Sequence, residues 1–104
     1  MDTGKEGLFG GLPEVLFGLM IAKLLGSLGA GGAEAAAAGQ VLVSLAKAEH
    51  AAAVSTKERL IDVIVKTVEI NAGFEIVKNA GSAGLPAAYA ALKVKLDELA
   101  ALYA

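Results

Sequence analysis

Few side chains in this sequence are able to do chemistry, and their spacing decides what they can do. There is one histidine, His50, in the stretch KAEHAAAV. A metal-binding histidine on a helix needs a second ligand one turn away. Ala46, Lys47, Ala53 and Val54 occupy those places, and they offer none. His50 therefore reads as a surface or interface residue. Glu49 and Glu58 form no carboxylate pair with a nucleophile beside it. Four serines and three threonines are present, but none has the histidine and aspartate support that nucleophilic catalysis requires. The absence of cysteine removes disulfides, thiolate chemistry and cysteine-based zinc sites. The glycine clusters GLFGG and GAGG lack the strand and the Lys-Ser/Thr ending of a phosphate-binding loop, and the strand and later acid of a dinucleotide turn. They read as hinges or tight-packing points. No catalytic role, cofactor or metal is expected.

The one concentration of basic residues is Lys47, His50, Lys57 and Arg59, the last being the only arginine. Glu49 and Glu58 dilute it. Alone, such a cluster is a solvated turn. Repeated along the inner wall of an assembly, it would meet a phosphate backbone without reading bases. Lys93 and Lys95 are a weaker second candidate, and neither group is interleaved with the aromatics that single-strand binding needs. Nine basic against eleven acidic residues leave a formal charge of −2, which argues against avid nucleic-acid binding by a free-standing chain.

The elements carrying these residues follow from the punctuation. Residues 1–11, ending in GLFGG, read as a flexible N-terminal arm, and 12–104 as a single helical domain. Pro13 suits a first helical turn and Glu14 the positive end of the helix dipole, so a first helix is expected over 12–28, ended by GAGG. A second, over 33–54, is rich in alanine, a strong helix former. Gln40, Ser44 and Lys47 form its polar stripe. Ala35 with Gly39, and Ser44 with Ala48 and Ala52, are small residues four apart, a spacing that lets helix backbones approach closely.

The motif STKE at 55–58 is a capping-box pattern that argues for a new start, and a third helix is expected over 56–79. If the second and third helices were continuous, they would form a rod of roughly 60–70 Å at 1.5 Å per residue. Glu58, Asp62, Lys66, Glu69 and Gly73 lie along one line of the third helix, with Asp62 and Lys66 as an i,i+4 pair. Its other faces are apolar, which marks a helix more buried than an ordinary surface helix. The turn NAGSAGLP precedes a fourth helix over 86–103. Leu85, Tyr89, Leu92, Leu96, Leu99 and Tyr103 alternate spacings of four and three, a heptad seam, and Lys93 and Asp97 pair on the opposite side.

The expected class is thus all-α, with about four helical segments in a hairpin or bundle completed by neighbouring subunits. Composition supplies the reason for neighbours. A chain of 104 residues leaves roughly a third of its surface uncovered, yet 56% of this one is hydrophobic and only 19% is charged. Something besides its own fold must cover part of it. Leu16, Met20, Leu24, Ala35, Gly39, Ala48 and the seam residues Leu85, Tyr89, Leu92, Leu96, Leu99 and Tyr103 are the candidate subunit-interface residues. The run 15–33 approaches the ~20 apolar residues of a membrane span, but Lys23 interrupts it, beside Gly18, Gly26 and Gly29. The acidic start MDTGKEG is unlike a secretory signal. The scarcity of Cys, Trp, Asn and Gln is compatible with a hot environment.

A small, cysteine-free, Ala/Gly/Val/Leu-rich helical chain of this size resembles the coat proteins of rod- or spindle-shaped archaeal viruses, and also conjugative-type pilins. The resemblance lies in composition and helix layout, not in a motif. It implies a structural self-assembling subunit of a capsid, filament or pilus wall, with identical subunits as partners. In the viral case it also implies non-specific phosphate contacts to nucleic acid, and the location is a virion or extracellular filament. The alternatives are a membrane-associated or membrane-active helical protein, with lipid as partner, and a stand-alone, designed or natural, helical bundle.

Overall fold

Helix starts and stops follow the proline and glycine punctuation, with shifts that have local causes. The computed structural model describes residues 12–57 and 60–104. It contains four helices: α1 (Glu14–Ala30), α2 (Gly32–Val54), α3 (Leu60–Asn79) and α4 (Leu85–Tyr103). The expected arm 1–11 lies outside the described residues. Pro13 stands just before α1 rather than in its first turn. α1 ends inside the GAGG stretch, at Ala30, two residues later than expected, and a single residue, Gly31, separates it from α2. Gly31 has φ 79° and Gly32 φ 64°, a left-handed backbone that glycine adopts without steric cost.

α2 and α3 are separate helices. Ser55 is extended, with φ −77° and ψ 142°, and its N–H donates to Ala51 O. Its Oγ accepts a hydrogen bond from the Lys57 N–H at 3.0 Å. The serine thus closes α2, and Thr56 and Lys57 belong to the link rather than to α3. Glu58, the other half of the expected capping box, lies outside the described residues. The longest dimension of the molecule is 39 Å, too short for a continuous α2–α3 rod. At the other turn, Pro86 sits in the first positions of α4, where its missing N–H is no loss.

α1 packs on α2 and α3, and α4 packs on the same two helices. The pairs α1/α4 and α2/α3 are therefore diagonals of a four-helix bundle. Directions follow from side-chain pairs. Phe17 stacks near Phe74, with ring centroids 5.9 Å apart, while Lys23 reaches Val77 and Ala80, so α1 and α3 are parallel. Lys66 meets Glu98 while Gly73 meets Leu92, so α3 and α4 are antiparallel. Lys57 bonds the Ala104 carbonyl and Ser44 lies near enough to Asp97 to lower its pKa, so α2 and α4 are parallel. Each helix thus reverses the one before it. The α2–α3 link crosses a diagonal instead of joining neighbours.

The interior is built from one stripe of each helix. α1 contributes Leu16, Met20 and Leu24, and α3 contributes Val63, Ile70, Phe74 and Val77. α4 contributes Leu85, Tyr89, Leu92, Leu96 and Leu99. α2 offers Ala38, Val41, Ser44, Leu45, Ala48 and Ala52. The small members of that set let α2 lie close along α4, the most extensive contact in the bundle. Ser44, expected on the wet stripe of α2 with Gln40 and Lys47, is instead buried in this contact. α3 approaches α4 closely at one point, where a Cβ on Gly73 would sit 3.1 Å from Leu92 Cδ1.

One buried polar pair spans the α1/α4 diagonal. The hydroxyls of Ser27 and Tyr89 lie 2.8 Å apart, and both residues are buried. Removing one hydroxyl leaves the other without its partner inside the core, at a cost of about 1–3 kcal/mol. Ser27→Ala and Tyr89→Phe are each expected to destabilise by that order. The double variant is expected to lose less than their sum, measured as a double-mutant cycle in urea. Additive losses would show that the hydroxyls do not depend on each other.

Candidate assembly surface

The expected interface residues are mostly consumed inside the chain. Leu16, Met20, Leu24, Ala48, Leu85, Tyr89, Leu92, Leu96 and Leu99 are buried by the chain's own helices. Tyr103, Ala35 and Gly39 are half-buried. Burial of Tyr103 pushes its phenol up from the ordinary value. The heptad seam of α4 is thus an intramolecular seam, packed on α2 and α3.

The basic cluster is described in part. Lys47 and His50 are exposed one turn apart on α2. Lys57 turns its ammonium to the Ala104 carbonyl. Arg59 lies outside the described residues. Lys47 also lies near Asp97, so an acid accompanies the cations. Among the described residues, no group of three His, Asp or Glu is placed to hold a metal ion.

Charge is instead gathered where α3 meets α4. Lys66 lies 2.7 Å from both Glu69 and Glu98, and Lys95 stands 3.5 and 3.7 Å from the same two carboxylates. The expected Asp62–Lys66 pair is replaced by these contacts, because Lys66 lies at the helix boundary and α4 brings Glu98 to it. The hydrogen bonds from Lys66 hold Glu69 and Glu98 below the usual carboxylate range, and they raise Lys66 itself. Lys93 bonds Asp97 at 2.7 Å. That bond, aided by one from Ser44, lowers Asp97. Exposed pairs of this kind contribute little stability each. Their consequence here is positional: the polar line of α3 is turned toward α4, and apolar residues are left facing outward.

α1 disposes of its charge in a similar way. Lys23 Nζ donates to the carbonyls of Val77, Lys78 and Ala80 at 2.8, 3.0 and 3.0 Å. All three ammonium protons are used, at the negative end of α3 where a cation is favoured. The cation in the middle of α1 is thereby folded onto its neighbour. No charged residue other than Lys23 occurs between Val15 and Ala30, so the outward side of α1 beyond Glu14 is uncharged.

What remains outside is apolar and concentrated. On α1 the exposed large side chains are Val15, Leu19, Leu25 and Leu28, and on α3 they are Ile61, Ile64, Val65, Val68 and Ile76. Val15 is 77% and Ile61 76% exposed. Only Val43, Val54 and Val94 are comparable on α2 and α4 among the described residues. Gly18, Ala22 and Gly26 lie exposed among the α1 side chains. Because α1 and α3 are parallel neighbours, their outward stripes share one side of the bundle. Together the nine side chains uncover on the order of 800 Å², the area one partner gives to a standard interface. Scattered apolar residues are ordinary on a monomer, but a gathering of this size marks an interaction surface.

A shallow groove of about 630 Å³ runs between α3 and α4, lined by Ile76, Ala80, Gly84, Ala87, Ala88 and Ala91, with Glu75 and Asn79 also along it. No described helix is long and apolar enough to cross a membrane. The chain matches no protein-family model, no curated protein and no solved structure.

Proposed function

We propose that the protein is a structural self-assembling subunit, a building block of a capsid, filament or pilus wall, whose partners are copies of itself. The observation that carries this reading is the apolar side formed by α1 and α3. It has interface size and interface chemistry, while the bundle's own core is already complete without it. Three of the charges on these helices are turned away from the outward stripes, Lys23 to the end of α3 and Lys66 and Glu69 to α4, while Asp62, Glu75 and Lys78 of α3 stay exposed. Surface-seeking membrane helices flank their apolar face with free lysines and arginines, and the cation of α1 is not free. The reading does not require nucleic acid.

The test is the state of the purified full chain in detergent-free buffer, followed by sedimentation and negative-stain microscopy across concentration. Particles far larger than one chain of 10.4 kDa are expected. A sharp monomer at every concentration would sink the proposal. Solubility only in detergent, with leakage from liposomes, would replace it with the membrane-active reading.

A further inference from the structure

We infer that the segment leading into α1 docks on its own chain: residues 8–11 continue the α1 corner of the bundle and lay Leu8 and Phe9 over Ile64 and its neighbours on α3. The helices are unequal at this corner. Phe17 lies beside Phe74, and Lys23 reaches the carbonyls of Val77 and Lys78. Both pairings put Glu14, the first residue of α1, level with residues 68–71 of α3. Residues 60–67 of α3 therefore run on past the start of α1, by about 12 Å at 1.5 Å per residue. α2 does the same. Gly31 alone joins it to α1, and it has 23 residues to the 17 of α1. At this end three helices go on, and the fourth corner is left to the chain that leads into α1.

The flank of α3 at that corner is apolar and uncovered. Each residue advances about 100° round a helix. Asp62 and Lys66 come just before the buried positions Val63 and Thr67 and lie toward α4, where Lys66 meets Glu98. Ile64 and Val68 come just after the same positions, so they lie on the opposite flank, toward α1. Ile61, Ile64 and Val68 are 76%, 54% and 63% exposed. The chain arrives there with the right direction and length. Leu12 is already buried in the core. Pro13 is extended, with φ −59° and ψ 126°, so the backbone runs on instead of adding a turn to α1. Extended chain covers roughly 3.3 Å per residue, so about four residues, Leu8 to Gly11, span the overhang. Leu8 and Phe9 are the large apolar pair of that segment, and covering apolar surface with apolar surface favours the contact. Val15, Leu19, Leu25 and Leu28 of α1, with Val65 and Ile76 of α3, stay outside for a neighbouring copy. The docking therefore does not rest on self-assembly.

The test exploits the absence of cysteine. Two cysteine pairs are compared in the full chain, in dilute solution and in the Leu25→Lys background, where a lysine on the outward stripe of α1 opposes association. Leu8→Cys with Ile64→Cys is expected to close a disulfide within one chain many times faster than Leu8→Cys with Ala101→Cys. Ala101 is exposed at the same end of the bundle but on α4, the diagonal helix. Equal rates for the two pairs would overturn the inference. So would a disulfide that forms only between chains, which would make the occupant the segment of a second copy. A second variant needs no thiol: Leu8→Asp with Phe9→Asp is expected to speed amide exchange several-fold at residues 61–68 and to leave α4 unchanged. Unchanged exchange at 61–68 would equally refute the docking. Neither readout depends on assembly. A chain that is monomeric throughout sinks self-assembly and leaves the docking standing, and a failed docking leaves the assembly proposal in place.

Discussion

Leu92→Ala is expected to lower the stability of the bundle by about 2–5 kcal/mol, a large part of the ~5–15 kcal/mol available to a domain of this kind. Leu92 is fully buried and stands where α4 meets Gly73 of α3. Truncation removes its packing and leaves a cavity that two helices must relax to fill. Gly73 makes the prediction sharper. A glycine inside a helix costs ~1 kcal/mol against alanine, but here a Cβ would land 3.1 Å from Leu92 Cδ1. Gly73→Ala alone therefore sets a gain in helix propensity against a crowded contact. Once Leu92 is alanine the crowding is gone, and Gly73→Ala should recover about 1 kcal/mol. The double variant is thus expected to be more stable than Leu92→Ala by itself. Urea unfolding in the Leu25→Lys background keeps association from adding to the apparent stability. A Gly73→Ala gain as large in the presence of Leu92 as in its absence would refute the close approach of α3 and α4 at this point.

How much of this was legible in the residues depends on the contrast each helix carries. α4 has a single apolar stripe, so its inward face, Leu85 to Leu99, reads directly from spacing, and the structure buries it. Gly and Pro marked the turns to within a few residues. α1 and α3 are apolar on most sides, and periodicity cannot say which apolar side is the core. For α3 the pattern suggested one wet stripe through Lys66, Glu69 and Gly73. The structure places that stripe at the α4 boundary and leaves Ile61, Val65 and Val68 outside. The partner of Lys66, Glu98, is thirty-two residues away, and local spacing favours Asp62 instead.

The arrangement of the helices was less legible than their existence. Neighbours in sequence are usually neighbours in space, and nothing in the link after Ser55 announces a diagonal crossing. The small residues of α2 did carry a signal. Ala48 and Ala52 occur at the spacing that permits close backbone approach, and they face α4. Ser44 was read as wet because serine is polar. Asp97 of α4, whose pKa Ser44 helps to lower, stands beside it, a polar neighbour that local spacing does not announce. The candidate assembly surface was foreseen as a need, from too much apolar content for the chain length. Its residues were not, because the best-patterned apolar positions are the ones the bundle itself takes.

Lys23→Met is expected to destabilise the fold by about 1.5–3 kcal/mol, although it makes α1 more hydrophobic. The argument turns on where the ammonium goes. Three carbonyls at the end of α3 accept from it, two of the bonds being part-buried. The Val77 carbonyl also accepts from the Ala80 N–H at 3.3 Å, while those of Lys78 and Ala80 have no successor within α3 to bond them. Methionine fills similar space and donates nothing. It also withdraws the positive charge from the negative end of the helix. The damage should be local before it is global: amide exchange should accelerate first around residues 80–85, where α3 hands over to α4. Lys23→Arg keeps the charge but replaces a compact three-donor head with a planar fork, so it should restore part of the loss and not all of it. An Lys23→Met chain as stable as the unaltered one would mean that α1 carries this lysine for some purpose other than holding the end of α3. If that same variant then bound liposomes that the unaltered chain ignores, the lysine's work would be to keep an otherwise insertable helix in the bundle.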